Sequence, residues 1–215
     1  MKSLLLGIVL IIIVGFGGLV YRNAVEHPSQ PIACPMDAMV CPDGTSVGRT
    51  GLSCTFPACA PPNVTLSDIS VSFALPEGFI LAELPDVASI AAYESASSTT
   101  DIAPSSIFIR RFAISASSTA LTTIRDTAVG SPSGLPVGAT SFTSTVLGSH
   151  RFTVVSIERF EGVVDTAYYL ARATDVLRFD AIDRNVMNWT DPSLDTATLP
   201  TVTALRKLLT TLQGE

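Results

Sequence analysis

Apolar and polar side chains alternate along residues 69–75: Ile69, Val71, Phe73 and Leu75 are interleaved with Ser70, Ser72 and Ala74. A period of two is the mark of a half-buried strand. Pro76-Glu77-Gly78 ends it with turn chemistry. Shorter strands are expected at 79–84 and 89–93, and another at 107–114, with Arg110 and Arg111 side by side in its middle. One arginine must face solvent; the other needs a partner or an edge. Four more strand patterns follow at 140–147, 150–160, 164–172 and 176–182. Gly148-Ser149 and Glu161-Gly162 supply two-residue hairpin signals between them. Helical spacing replaces the alternation twice. Ser118 or Thr119 is placed to cap a helix over 120–129, with Leu121, Ile124 and Ala128 on one face. Val202, Leu205, Leu208, Leu209 and Leu212 make the apolar stripe of a helix over 201–212. Strands in sequence, joined by hairpins and accompanied by two helices, predict an α+β domain: an antiparallel sheet flanked by helices.

The pattern changes at the N-terminus. Residues 4–20 carry no charge, and only Lys2 precedes them. At about 1.5 Å of rise per residue, such a run just crosses a thin hydrocarbon core. No small-x-small cleavage site follows, so the run reads as a retained signal anchor; a cleaved signal peptide is the alternative. The charge bias places the N-terminus in the cytoplasm and the rest of the chain outside it. The expected organisation is an anchor at 1–22, a linker at 23–31, a four-cysteine module at 32–60, a proline-rich joint at 61–65 and an α+β domain at 66–215.

Cysteine usage argues for export independently. Cys34, Cys41, Cys54 and Cys59 fall in one short stretch, and the long domain has none. Zinc modules supply ligands as C-x2–4-C pairs close enough to grip one ion; the spacings here are x6, x12 and x4, and no histidine lies among the cysteines. Two disulfides in an oxidising compartment are expected, with the pairing open. Pro42-Asp43-Gly44 makes a turn, and Gly48 and Gly51 permit positive φ around Arg49. The module resembles small cysteine modules of exported proteins from uncultivated small-genome bacteria. It resembles a Kazal-type inhibitor only faintly, because it has too few cysteines. A stapled spacer is the simpler reading, and protease inhibition through the module is a weaker alternative.

The segment Val71-Ser72-Phe73-Ala74-Leu75-Pro76-Glu77-Gly78-Phe79 resembles the opening of PsbP-like domains, where a strand ends in a Pro-x-Gly-aromatic turn. The order of elements over 66–213 is similar as well. The resemblance implies a sheet flanked by helices and a role in assembly or interaction at membranes, as the founding members serve photosystem assemblies. It carries no catalytic residues.

Composition narrows the function classes. The formal net charge is −6 and lysine occurs only at positions 2 and 207. Without a basic stripe, nucleic acid is not the expected partner. His27 and His150 are the only histidines. Gly130-Ser131-Pro132-Ser133-Gly134 superficially resembles a nucleophile elbow, but proline stands where the serine is needed. Asp175, Asp180, Asp183, Asn185 and Asp191 gather hard oxygen ligands without the spacing of a calcium loop; a solvated strand end explains them better. Trp189 is expected beneath the last helix.

No catalytic, cofactor or metal residue is assigned, no cofactor is expected and the domain reads as a non-enzyme. The expected function is that of a membrane-anchored extracytoplasmic interaction or assembly domain, with a protein or cell-envelope component as partner. Arg110 and Arg111 and the loops at 94–106 and 130–138 are its candidate contact surfaces. A hydrolase using carboxylates, or Ser131 or Ser133 with His150, is the alternative.

Overall fold

The computed structural model describes residues 16–18, 34–41, 46–57, 63–96, 103–130 and 134–214. Apart from residues 16–18, which are helical, the apolar run at 4–20 lies outside them. Among the described residues no helix is long and apolar enough to cross a membrane. The chain divides into two compact units, Met1–Ala38 with Gly48–Pro57 and Met39–Val47 with Ala58–Glu215.

In the first unit Cys34 and Cys54 form a disulfide. Arg49 grips Asp37 through two bonds, Nε to Oδ1 at 2.7 Å and Nη2 to Oδ2 at 2.9 Å. It also donates to the Cys54 carbonyl at 3.0 Å and lies 4.3 Å over the Phe56 ring. A guanidinium and one bridge thus organise a segment too small to bury a core. Gly51 adopts the positive φ expected of it, at 74°, whereas Gly48 does not. Cys41 is also disulfide-bonded; Cys59 lies outside the described residues.

Eleven strands and two α-helices follow in order among the described residues: β1 (Ala38–Val40), β2 (Ser46–Gly48), β3 (Val64–Leu66), β4 (Val71–Phe73), β5 (Phe79–Leu81), β6 (Ser89–Ser95), β7 (Ser106–Ala113), α1 (Ala120–Thr127), β8 (Thr143–Leu147), β9 (His150–Phe160), β10 (Val163–Ala171), β11 (Asp175–Asp183) and α2 (Pro200–Thr210). Seven of the strands make one antiparallel sheet, ordered β5-β6-β7-β11-β10-β9-β8. β1 pairs with β2 and β3 with β4 in separate two-stranded ladders.

Strands β8 to β11 form the expected meander. At the β9–β10 turn both Glu161 (φ 48°) and Gly162 (φ 78°) are left-handed, as a type I′ hairpin requires. Gly148, between β8 and β9, has φ 57°, and a Cβ there would lie 2.6 Å from the Thr210 carbonyl oxygen at the end of α2. That position needs glycine twice over. The polar stretch expected as a loop at 94–106 is shorter than the sequence suggests, because Glu94 and Ser95 belong to β6 and Ser106 to β7.

The core of the α2 side contains Phe73, Tyr93, Ile107, Ile109, Phe152, Tyr168, Leu177 and Phe179 from the strands. Val202, Leu205, Leu208, Leu209 and Leu212 join it, all buried, as their spacing predicts. Trp189 is half-buried and packs against the same cluster. A smaller cluster joins Ile124 and Ala128 of the α1 region to Val155, Ile157, Ala167, Tyr169 and Val176. Thr119 caps α1 reciprocally with Thr122: each backbone N–H donates to the other's Oγ1, at 2.7 and 3.2 Å. Leu121, expected on the inner face, is exposed, and Thr123 is buried instead.

Candidate functional site

β11 is the middle strand of the seven, and its register fixes the chemistry. Buried central strands read as continuous apolar runs, yet Val176-Leu177-Arg178-Phe179-Asp180-Ala181 places a cation and an anion two residues apart, hence on one face. Arg110 of β7 stands directly opposite Arg178, and Ala167 of β10 opposite Asp180. Two arginines face to face repel. Asp180 lies between them: Arg178 Nε donates to Oδ1 at 2.6 Å, and Arg110 Nη1 donates to Oδ2. Arg110 Nε also reaches Asp86 Oδ2 at 2.9 Å. Arg178 Nη1 donates to the Thr127 carbonyl at 2.5 Å, tying the end of α1 to the sheet.

Asp165 of β10 completes the network, 3.6 Å from Arg178 Nη2. Its Oδ1 is buried and has no hydrogen-bond partner, as has the Tyr169 hydroxyl. Burial, reinforced by the charge of Asp180, pushes the Asp165 carboxyl up to about 8, against the pull of Arg178 and Arg110. Burial also raises the Tyr169 phenol, to about 12.

The opposite face carries charge only at the ends of β11. Asp175 is buried and holds Arg172 by two bonds of 2.6 and 2.7 Å, and Arg111 Nε at 2.7 Å. The Arg172 hydrogen bonds lead in holding its carboxyl below the ordinary carboxylate range, burial opposing and Arg111 assisting. Asp183 is also buried, and its two oxygens accept the backbone N–H groups of Thr201 (2.8 Å) and Val202 (3.3 Å). It caps α2, which Leu199 cannot do. Burial outweighs those bonds and raises its pKa.

These positions correct the reading of Asp175, Asp180 and Asp183 as a solvated strand end. They sit on a strand paired on both sides within a covered sheet and are at most 2% exposed. Asn185 and Asp191 are exposed, Asp191 in a turn where Ser193 donates to it through its backbone N–H and hydroxyl. Among the described residues no group of three or more His, Cys, Asp or Glu is placed to hold a metal ion.

Arg110 and Arg111 are both committed to internal carboxylates. They differ in cover: the side chain of Arg110 is 15% exposed and that of Arg111 is 44% exposed. His150 lies at the β8–β9 turn. Its Nε2 donates to the Gly214 carbonyl at 3.1 Å, which leaves Nδ1 to accept from Ser149 Oγ at 3.2 Å. The imidazole thus ties the turn to the chain's end. Ser131 and Ser133 lie outside the described residues.

The structure adds two features. An open cleft of about 390 Å³ lies where β11 ends and α2 begins, between Phe79, Ser95 and Ser105 on one side and residues 183–186, Asn188 and 199–201 on the other. At the β5 edge of the sheet, Ile80 (51%), Leu81 (76%), Leu84 (54%) and Val87 (107%) are exposed within eight residues. The strand pattern at 79–84 hid this second feature, because an edge strand and an inner strand share the same period.

No family model matches the chain, and no curated protein does. Among solved structures the chain is similar to the solution structure of cyanobacterial PsbP (CyanoP) from Synechocystis sp. PCC 6803. Identity is 10% and the TM-score 0.43, with 74% of this chain and 98% of that chain covered. No partner, ligand or activity is taken from it.

Proposed function

We propose that this chain is a membrane-anchored extracytoplasmic domain that works by contact, through the β5 edge and the loop after it. The exposed cluster of Ile80, Leu81, Leu84 and Val87 carries this reading. Single exposed apolar residues need no explanation, but four within eight residues, along β5 and the loop after it, make this edge the candidate contact surface. The edge backbone is available too. Ala82 N–H donates to the Ala92 carbonyl and Ala96 N–H to the Gly78 carbonyl. Alternation then turns the peptide groups of Leu81 away from β6.

The charge around the cluster defines its partner. From residue 50 to residue 109 the chain has no Lys or Arg; Glu77 and Glu83 are exposed beside the run, and Asp86 within it is paired with Arg110. An apolar centre with an acidic border suits a partner surface with an apolar centre and a basic border. The uncharged run at 4–20 supports a membrane anchor, and the clustered, oxidised cysteines support an extracytoplasmic position.

The test is site-specific photocrosslinking of the full chain in native membranes. A photoreactive residue at Leu81 or Val87 is expected to give one discrete adduct, abolished by Leu84→Asp in a protein with an unchanged melting curve. Met187 is as exposed, at 95%, and provides the control position. The same adducts at Leu81 and Met187, or none at Leu81 or Val87, would refute a contact surface there.

A further inference from the structure

The cleft at the end of β11 is separate from that edge surface in its chemistry, and its reading does not depend on the contact function. Its volume of about 390 Å³ falls in the range that small ligands occupy. Phe79, Val186, Leu199 and Pro200 line it with apolar surface, and Ser95, Ser105, Asn185, Asn188 and Thr201 with polar surface.

Two charged residues reach the cleft, and they are disposed differently. Asp183 is turned into the structure, with both oxygens receiving N–H groups at the positive end of α2. Its two oxygens are thus engaged inside the structure rather than offered to the cleft. Arg184 has only its near end engaged. Its backbone N–H donates to Ser105 Oγ at 3.1 Å, and Nε donates to the Pro104 carbonyl at 3.1 Å. These two bonds fix the side chain's position. Nη1 and Nη2 have no further hydrogen bond or ion pair among the described residues. A guanidinium held by Nε with its terminal pair open is a preorganised receptor for a planar anion. Asn185 is held at φ 57° while the next residue, Val186, donates its N–H to the Gly162 carbonyl, so the polar wall beside Arg184 is also fixed in place.

We propose that this cleft binds a small carboxylate with an apolar body. The carboxylate lies across the Nη1/Nη2 fork of Arg184, the amides of Asn185 and Asn188 supply further donors, and the apolar part rests on Phe79, Val186 and Leu199. A free short-chain acid and the C-terminus of a peptide share this chemistry.

Trp189 is the only tryptophan, it is half-buried, and it follows Asn188 directly. Its emission therefore reports on the cleft. The full chain in amphipol is titrated with hexanoate, hexanamide and N-acetylleucine. Hexanoate is expected to give a saturable change, and hexanamide to bind roughly ten-fold more weakly or worse, because it cannot pair with the fork as an anion. Arg184→Gln should weaken hexanoate binding by a similar factor, and Arg184→Lys should recover only part of it, since ammonium keeps the charge and loses the fork. Circular-dichroism melts of both variants establish that they are folded. N-acetylleucine binding more tightly than hexanoate assigns the site to a chain end, and the reverse order to a free acid. Equal binding of hexanoate and hexanamide, undiminished binding by a folded Arg184→Gln chain, or no response to hexanoate up to tens of millimolar would overturn the proposal.

Discussion

The two faces of the seven-stranded sheet solve the same problem by opposite means. On the α2 side, Phe152 meets Tyr168 and Phe179 edge-on, with centroids 6.4 and 6.2 Å apart, and leucines of α2 close the layer. On the α1 side, the same strands present Arg110, Arg178, Asp180 and Asp165 to one another beneath a helix of eight residues. The first face gains from area removed from water and depends on volume and fit. The second repays most of its Coulomb energy in desolvation and contributes little net stability. Its value is geometric. Arg178 can satisfy Asp180 and the Thr127 carbonyl together in only one register of β11 and one placement of α1.

The sharpest test of this contrast removes one side chain from each face. Phe179→Ala empties a fully buried site packed against Phe152 and should cost about 3–5 kcal/mol in urea unfolding. Arg178→Ala leaves Asp180 with Arg110 alone, and leaves the Thr127 carbonyl without its donor. About 3 kcal/mol is expected, most of it the cost of orphaned charge rather than lost attraction. The distinguishing observation is local. Amide exchange in α1 should accelerate in Arg178→Ala and stay near wild type in Phe179→Ala once global stability is subtracted. Equal protection of α1 in the two variants would show that Arg178 does not tie the helix down.

What could be read in advance follows the same division. The hairpin turns, the extent of β9 and the buried stripe of α2 were legible, because turn chemistry and helical periodicity are written in consecutive residues. The charged network was not. Arg178 and Asp180 share a face by spacing alone, but Arg110 joins them only because β7 and β11, some seventy residues apart in the chain, are neighbours in the sheet. Strand order is not local information, and so three structural aspartates resembled a polar strand end. Leu121 failed for a related reason: α1 rests its Ile124 side on the sheet and leaves the Leu121 side to solvent. The Arg184 cleft has no signal in the sequence, since its walls come from separate segments.

Proton linkage distinguishes the faces with a smaller effect and with opposite signs. Asp165 rises from 3.8 to about 8 on folding, so the native state holds its proton more tightly than the unfolded chain does. Its contribution is fully present below the unfolded value and is lost as pH rises towards 8. Asp165→Asn removes that dependence. Its stability relative to wild type should improve steadily between pH 4 and pH 8 and change little beyond. Asp175 is lowered by Arg172 and Arg111, so its contribution is present at neutral pH and lost as pH falls through its folded value. Asp175→Asn should therefore be destabilising at pH 7 and nearly neutral in strong acid. Urea midpoints across pH decide the matter, and parallel curves for wild type and Asp165→Asn would remove Asp165 from the linkage.

The smallest expected effect concerns Arg111, the exposed neighbour of Arg110 along β7. They lie on opposite faces. Arg110 is largely covered and serves Asp180, whose oxygens have no solvent to fall back on. Arg111 is 44% exposed, and its partner Asp175 is already held through both oxygens by Arg172. Removing Arg111 therefore orphans nothing. Solvent screens the pair, so Arg111→Ala should shift stability by less than about 1 kcal/mol. Arg110→Ala should cost clearly more, because it strips a buried carboxylate of one of its two cations. Salt sharpens the distinction: adding salt should shrink the Arg111→Ala difference, while the Arg110→Ala difference should barely move. If the two variants lost equal stability and responded equally to salt, the arginines would be equivalent in practice, and exposure would be the wrong basis for separating them.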